Sequence, residues 1–153
     1  MYRIAVSNSA RSSPLPSKNG SVKAQSGSGT VEVDRVGGDV QVKASVGNLE
    51  VEQTKGAVDA ETGSGTIAFC PAKGSKGAFS LRSGAGGVMV RLLPDAAEGR
   101  IQAHTAVGTI VVRGPRKPPA VTGDKTSQTI VLTEQGPVSK IETGSGTITV
   151  TLE

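Results

Sequence analysis

The chain has 153 residues and carries 17 Lys and Arg against 13 Asp and Glu, a formal net charge of +4. Aromatic residues make up 2% of it (Tyr2, Phe69 and Phe79, with no Trp), which leaves almost nothing to stack on sugar rings or splayed bases and argues against specific nucleic-acid binding. A single Cys and a single His exclude an internal disulfide and leave a transition-metal site short of ligands, and no apolar run approaches the roughly 20 residues of a membrane-crossing helix.

Taken in chain order, residues 1–19 stand apart from the rest. The stretch MYRIAV alternates like a strand at Tyr2, Ile4 and Val6, and the following SNSARSSPLPSKNG is a Ser- and Pro-rich linker. This segment reads either as a cap over an open strand edge or as the remnant of an upstream region.

Residues 20–153 form a repeat. A glycine-centred corner followed by an apolar doublet recurs at Gly29, Gly47, Gly65, Gly86, Gly108, Gln128 and Gly146, at intervals of 18, 18, 21, 22, 20 and 18 residues. Two residues after each corner stand Val31, Leu49, Ile67, Val88, Ile110, Ile130 and Ile148, and four after stand Val33, Val51, Phe69, Val90, Val112, Leu132 and Val150. Both columns are apolar throughout. Since a strand alternates its faces with a period of two, these columns point inward together with those seven and five residues before the corner. The column four before the corner reads Gln25, Lys43, Glu61, Arg82, His104, Asp124 and Glu142, polar in every repeat. At the seventh repeat the pattern slips, with Ser139 in the aliphatic position and Val138 beside it.

Each repeat therefore supplies two short strands meeting at a corner, with a variable third side. The pattern predicts an all-β, single-stranded parallel β-solenoid of about seven rungs, 18–22 residues per rung, because self-similarity at this period marks units that bury an apolar face only by stacking. On this reading Val88 lies between Ile67 and Ile110 in the core.

The corner sequence, seen as SGSGTVEV, TGSGTIAF and TGSGTITV and linked by segments such as VDAET and IQAHT, resembles that of a bacterial β-solenoid domain family of unknown function that carries an adhesin label. The resemblance spans residues 20–153. It implies a solenoid fold, a bacterial origin and a setting at the cell envelope or outside the cytoplasm, and it supplies no catalytic motif.

The residues themselves offer little chemistry. His104 stands in the polar column with Arg82 one repeat before and Asp124 one repeat after, and a ladder of charges explains that row without an acid/base couple. Cys70, beside Pro71, reads as an incidental thiol. Gly-Ser-Gly corners lack the lysine and the helix of a phosphate loop and read as turns. The expectation is therefore a non-enzyme without catalytic residues, cofactor or metal, with a carbohydrate-active enzyme as the remotest alternative.

Two surface features stand out. The outward column three after each corner turns apolar at Met89, Val111 and Val131, which predicts a stripe covered by a protein partner or by a second copy of the chain. On the variable side Lys73, Lys76, Arg91, Arg113, Arg116 and Lys117 align into a candidate ridge for an anionic envelope polymer. These features predict a non-catalytic scaffold or binding module, with a self-assembling structural element as the alternative.

Overall fold

In a computed structural model of the protein, residues 3–7, 10–12, 22–34, 37–72, 78–93, 99–114, 120–131 and 135–153 are described. Every regular element among them is a β-strand. The strands are β1 (Arg3–Ser7), β2 (Ala10–Ser12), β3 (Val22–Ser28), β4 (Thr30–Asp34), β5 (Val40–Val46), β6 (Leu49–Thr54), β7 (Val58–Ser64), β8 (Ile67–Pro71), β9 (Phe79–Ala85), β10 (Val88–Leu92), β11 (Arg100–Arg113), β12 (Ala120–Gly123), β13 (Ser127–Val131) and β14 (Val138–Leu152).

The alternation in the sequence becomes alternation in burial. In β8, Ile67 and Phe69 are buried with Ala68 and Cys70 half-covered between them, and β7 buries Val58 and Ala60 while Asp59 and Glu61 face water. One hydrophobic cluster gathers the inward residues of both strands of the stacked repeats, such as Val42 and Ala60 from the first and Val51 and Ile67 from the second, while the sixth repeat gives it Ile130 alone and leaves Val121 exposed. Each fully buried aliphatic in it contributes about 1.5–3 kcal/mol of transfer free energy. The variable third side brings the end of β8 back to the start of β9, where the Phe69 and Phe79 rings meet with centroids 4.9 Å apart.

The strands stack in parallel and in register along two columns, β3-β5-β7-β9-β14 and β4-β6-β8-β10-β14. Between the columns the chain bends at a glycine with positive φ, +142° at Gly65. A Cβ at Gly65 would lie 1.9 Å from the Gly47 carbonyl oxygen of the layer beneath, so both the dihedral and the close approach require glycine there. In β11 and β14 a single long strand runs through the corner, at Gly108 and Gly146.

The order of the layers differs from the order of the repeats. The seventh repeat, β14, lies between the fourth and the fifth. Val88 pairs with Ile67 on one side and with Ile148 on the other, and Ile110 pairs with Ile148, so Ile148 separates Val88 from Ile110. The sixth repeat does not stack in parallel at all. Its strand β13 runs antiparallel to β11, Ile130 opposite Ile101, and β12 folds antiparallel onto β13.

The cause is legible in one side chain. Every stacked corner from the second repeat on would place a Cβ within 2.0 Å of a neighbouring carbonyl, and the sixth repeat has Gln128 there instead of glycine. Unable to pass that corner, the segment turns back through Gly123, where the Asp124 amide donates to the Ser127 carbonyl at 2.8 Å, and lies along the outer edge of β11. The seventh repeat then pairs with the inner edge. At the opposite end β1 lies antiparallel on β4 and β2 on β3.

A row of buried hydroxyls ties the layers together at the corners. Three residues before five of the six corner glycines stand Ser26, Thr62, Ser83, Thr105 and Thr143, all buried, with Ala44 in that place before Gly47. The Thr62 hydroxyl reaches the Gly47 carbonyl at 3.4 Å, Ser83 reaches Gly65 at 3.2 Å, Thr143 reaches Gly86 at 3.3 Å and Thr105 reaches Gly146 at 3.4 Å. Each bond joins one layer to the next, and together they trace the same permuted order.

Candidate functional site

Outward side chains of the first column form two neighbouring rows. In stacking order the row four before the corner reads Gln25, Lys43, Glu61, Arg82, Glu142 and His104. Insertion of β14 makes its charges alternate. Lys43 and Glu61 pair at 3.6 Å and Arg82 and Glu142 at 3.3 Å, each half-exposed, so each bond adds only a small, salt-sensitive stabilisation.

The same insertion separates His104 from its expected neighbours. Glu142 stands between Arg82 and His104, and the register partner of His104 on its other side is Ser127. Asp124 sits in the turn before β13 and does not face the imidazole across a strand pair, so the His104 and Asp124 couple is not formed.

The second row, six before the corner, reads Lys23, Gln41, Asp59, Ser80 and Lys140 in stacking order. With the residues that lead into each strand it lines an open groove of about 520 Å³, with Ala57, Ala78 and Val138 giving its apolar surface above the buried Val40, Val58 and Phe79, Asp39 and Asp59 within it, and Lys23 and Lys140 at its edges. Val138 lies in this groove, half-exposed, because Ser139 takes the inward position and accepts the Phe79 amide at 3.2 Å. The slip noted at the seventh repeat is the sequence signal for this feature. The groove itself was not foreseen, since its residues come from layers whose order the repeats do not give.

The second column presents a different face. Its row three after the corner reads Glu32, Glu50, Ala68, Met89, Thr149 and Val111 in stacking order, and the row five after reads Asp34, Glu52, Cys70, Arg91, Thr151 and Arg113. Met89 is 52% exposed and stands beside a hollow of about 200 Å³ lined by Ala68, Cys70, Arg91 and Thr149. Arg91 donates from Nε to Glu153 at 2.6 Å, which raises its pKa. Burial, reinforced by the negative charge of Glu52, raises the pKa of the Cys70 thiol. The thiol is thus held in its unreactive form, opposite to the perturbation a nucleophile needs.

The expected apolar stripe is not continuous. Thr149 lies between Met89 and Val111, and Val131 pairs with Arg100 and Ala120 on the other half of β11, away from the row that holds Met89. Of the candidate ridge, Arg91 and Arg113 flank Thr151 on adjoining strands, while Lys73, Lys76, Arg116 and Lys117 lie outside the described residues.

Among the described residues no three His, Cys, Asp or Glu side chains converge as a metal site would require, and no helix is long and apolar enough to cross a membrane. The chain matches no family model, no curated protein and no solved structure.

Proposed function

We propose that the chain is a non-catalytic binding module, a β-solenoid of stacked rungs that meets its ligand through rows of outward side chains. The observation that carries this reading is the groove of about 520 Å³ edged by Lys23 and Lys140. Four strand steps separate the two lysines in the stack, about 19 Å at 4.8 Å per step, a span that suits an extended chain. Ala57, Ala78 and Val138 supply apolar contact area, and the two ammonium groups at the ends, set apart from Asp39 and Asp59 between them, meet negative groups spaced along the ligand. Envelope association and an adhesin-like role follow from the resemblance of the corner motif, and an anionic envelope polymer or an acidic protein segment is the ligand class that fits.

Rigidity is the physical basis of the proposal. Glycine corners in contact, interior hydroxyl bonds and in-register aliphatics hold the outward rows at fixed spacing, so several weak contacts are made together without ordering the protein side first. End-to-end assembly is the weaker reading, because β1 and β2 at one end and β13 at the other run antiparallel to the stack and interrupt its continuation.

The test is calorimetric titration with a carboxylated polysaccharide such as polygalacturonate at low and physiological salt. Saturable binding that weakens with salt and is lost in the Lys23→Glu, Lys140→Glu double variant supports the proposal. Absence of binding at both salt concentrations, or binding unchanged in the double variant, overturns the assignment to this groove.

A further inference from the structure

The groove row of the first column carries a charge at every second layer. Lys23, Gln41, Asp59, Ser80 and Lys140 follow one another on adjoining parallel strands, so the charges read plus, neutral, minus, neutral, plus. With about 4.8 Å per strand step, successive charges stand roughly 9.6 Å apart. Asp39, one layer from Asp59 in the neighbouring row, adds to the negative centre, where it accepts the Ala57 amide at 3.0 Å and remains exposed. Arg100 follows Val138 in that same row and strengthens the positive end beyond Lys140. The row on the other side is self-neutralised in these layers, since Lys43 pairs with Glu61 and Arg82 with Glu142.

A uniformly anionic ligand gains from Lys23 and Lys140 at its ends and is repelled by Asp59 and Asp39 in its middle. The full complement of the row is minus, plus, minus at the same spacing. A polypeptide carries both signs on one chain, which a polyuronate does not.

The spacing also selects a backbone conformation. In a β-strand, side chains on one face repeat every two residues, about 6.7 Å, so residues i and i+6 reach both lysines while residue i+3, which belongs over Asp59, points to the opposite face. A polyproline II helix rises about 3.1 Å per residue with three residues per turn, so every third side chain returns to one edge after about 9.3 Å. Two turns cover about 18.6 Å, against about 19 Å between the terminal lysines. The intervening residues of such a helix lie along Ala57, Ala78 and the half-exposed Val138, whose apolar surface runs beside the charged row.

We infer that the ligand of this groove is a polypeptide segment in the polyproline II conformation with acidic, basic and acidic residues at every third position, its carboxylates on Lys23 and Lys140 and its cation between Asp59 and Asp39. The inference rests on the reading of the groove as the binding site and narrows the ligand class to polypeptide. Asp59 sets the specificity, because it attracts the central cation and repels a uniform polyanion.

Titration calorimetry at low salt with the blocked heptapeptide Glu-Pro-Pro-Lys-Pro-Pro-Glu tests it. Binding is expected, lost in the Lys23→Glu, Lys140→Glu variant and at least fivefold weaker for Glu-Pro-Lys-Pro-Pro-Pro-Glu, in which the lysine leaves the shared edge. Asp59→Lys is expected to weaken the heptapeptide at least tenfold and to tighten polygalacturonate several-fold, opposite signs from one exposed position. The Lys23→Glu, Asp59→Lys, Lys140→Glu variant is expected to bind Lys-Pro-Pro-Glu-Pro-Pro-Lys in place of the original peptide. Polygalacturonate binding that depends on Lys23 and Lys140, with no binding of the heptapeptide, overturns this inference and leaves the groove reading standing, whereas absence of binding by both ligands removes both. Equal affinity for the two lysine placements, or an Asp59→Lys variant that tightens both ligands, also overturns it.

Discussion

The Thr143 hydroxyl donates to the Gly86 carbonyl at 3.3 Å across 57 residues of sequence, and this bond fixes the seventh repeat against the fourth. It is reinforced at the backbone, where the Gly86 amide donates to the Ser145 carbonyl at 2.8 Å. Replacing Thr143 by Val keeps the shape and removes the donor from a buried site. The expected cost is about 1 kcal/mol of unfolding free energy, with Thr143→Ser recovering most of it, as measured by urea denaturation. Equal stability of all three proteins would show that the hydroxyl contributes nothing.

Two corner substitutions separate stacked repeats from the one that turns back. A Cβ at Gly146, where φ is +149°, would lie 1.9 Å from the Gly86 carbonyl oxygen, so Gly146→Ala strains the dihedral and forces the layers apart. A loss of more than about 2 kcal/mol is expected. Gln128 pairs with Ala103 and Gly123 in antiparallel strands and occupies no corner, so Gln128→Gly gains no stability from restoring the motif. Differential scanning calorimetry on both variants decides the point, and a melting temperature raised by Gln128→Gly would contradict the antiparallel placement of β13.

Arg82 and Glu142 are neighbours only because β14 is inserted, since in the order of the repeats His104 and Asp124 stand between them. A double-mutant cycle with Arg82→Ala and Glu142→Ala is expected to give a coupling energy of about 0.2–1 kcal/mol at low salt that fades at high salt, both groups being half-exposed. A cycle on Arg82 and His104 should give none. Coupling in the second cycle and not the first would restore the repeat order.

Much of this architecture can be read from residues alone, and the part that cannot has a physical reason. Ile67, Val88, Ile110 and Ile148 were assignable to the interior because alternation depends only on local strand geometry. The layer order is set by which edges remain open after each segment has folded, and the sequences TGSGTIAF and TGSGTITV fit any slot equally well. One clue was present, Gln128 in a column of glycines. The buried hydroxyls were also within reach, since Ser26, Thr62, Ser83, Thr105 and Thr143 recur three before the corner, a row that polarity alone would have placed outside. The two surface features fared less well because adjacency across layers depends on that order: Met89 and Val111 are parted by Thr149, while Arg91 and Arg113 come within one strand of adjoining each other.

Cys70 offers a prediction in pH. Burial and the nearby Glu52 carboxylate raise its pKa, so at any given pH less of it is thiolate than in an exposed thiol. Alkylation by iodoacetamide should therefore be slow at neutral pH and accelerate only at higher pH than for a free cysteine. Glu52→Gln removes one of the two main causes and moves the rate profile toward lower pH without bringing it fully to that of an exposed thiol, since burial remains. A profile identical to that of free cysteine would contradict the covered position of the thiol.

The strongest consequence of the permuted stack concerns the end of the sequence. If the repeats were stacked in order, ending the chain after Pro137 would strip one outer layer and leave the others paired. In the observed arrangement β14 is bonded to β9 and β10 on one side and along nearly its whole length to β11 on the other. Its removal therefore opens the stack in the middle, withdrawing Ile141, Ile148, Val150 and Leu152 from the core and leaving three rows of backbone groups without partners. Thermal denaturation followed by far-ultraviolet circular dichroism is expected to show no cooperative transition for the truncated chain. Because the missing layer is an internal slot with two matching edges, a synthetic peptide of residues 138–153 added in excess is expected to bring the transition back. A truncated chain that melts cooperatively near the temperature of the intact one would place β14 at an end of the stack.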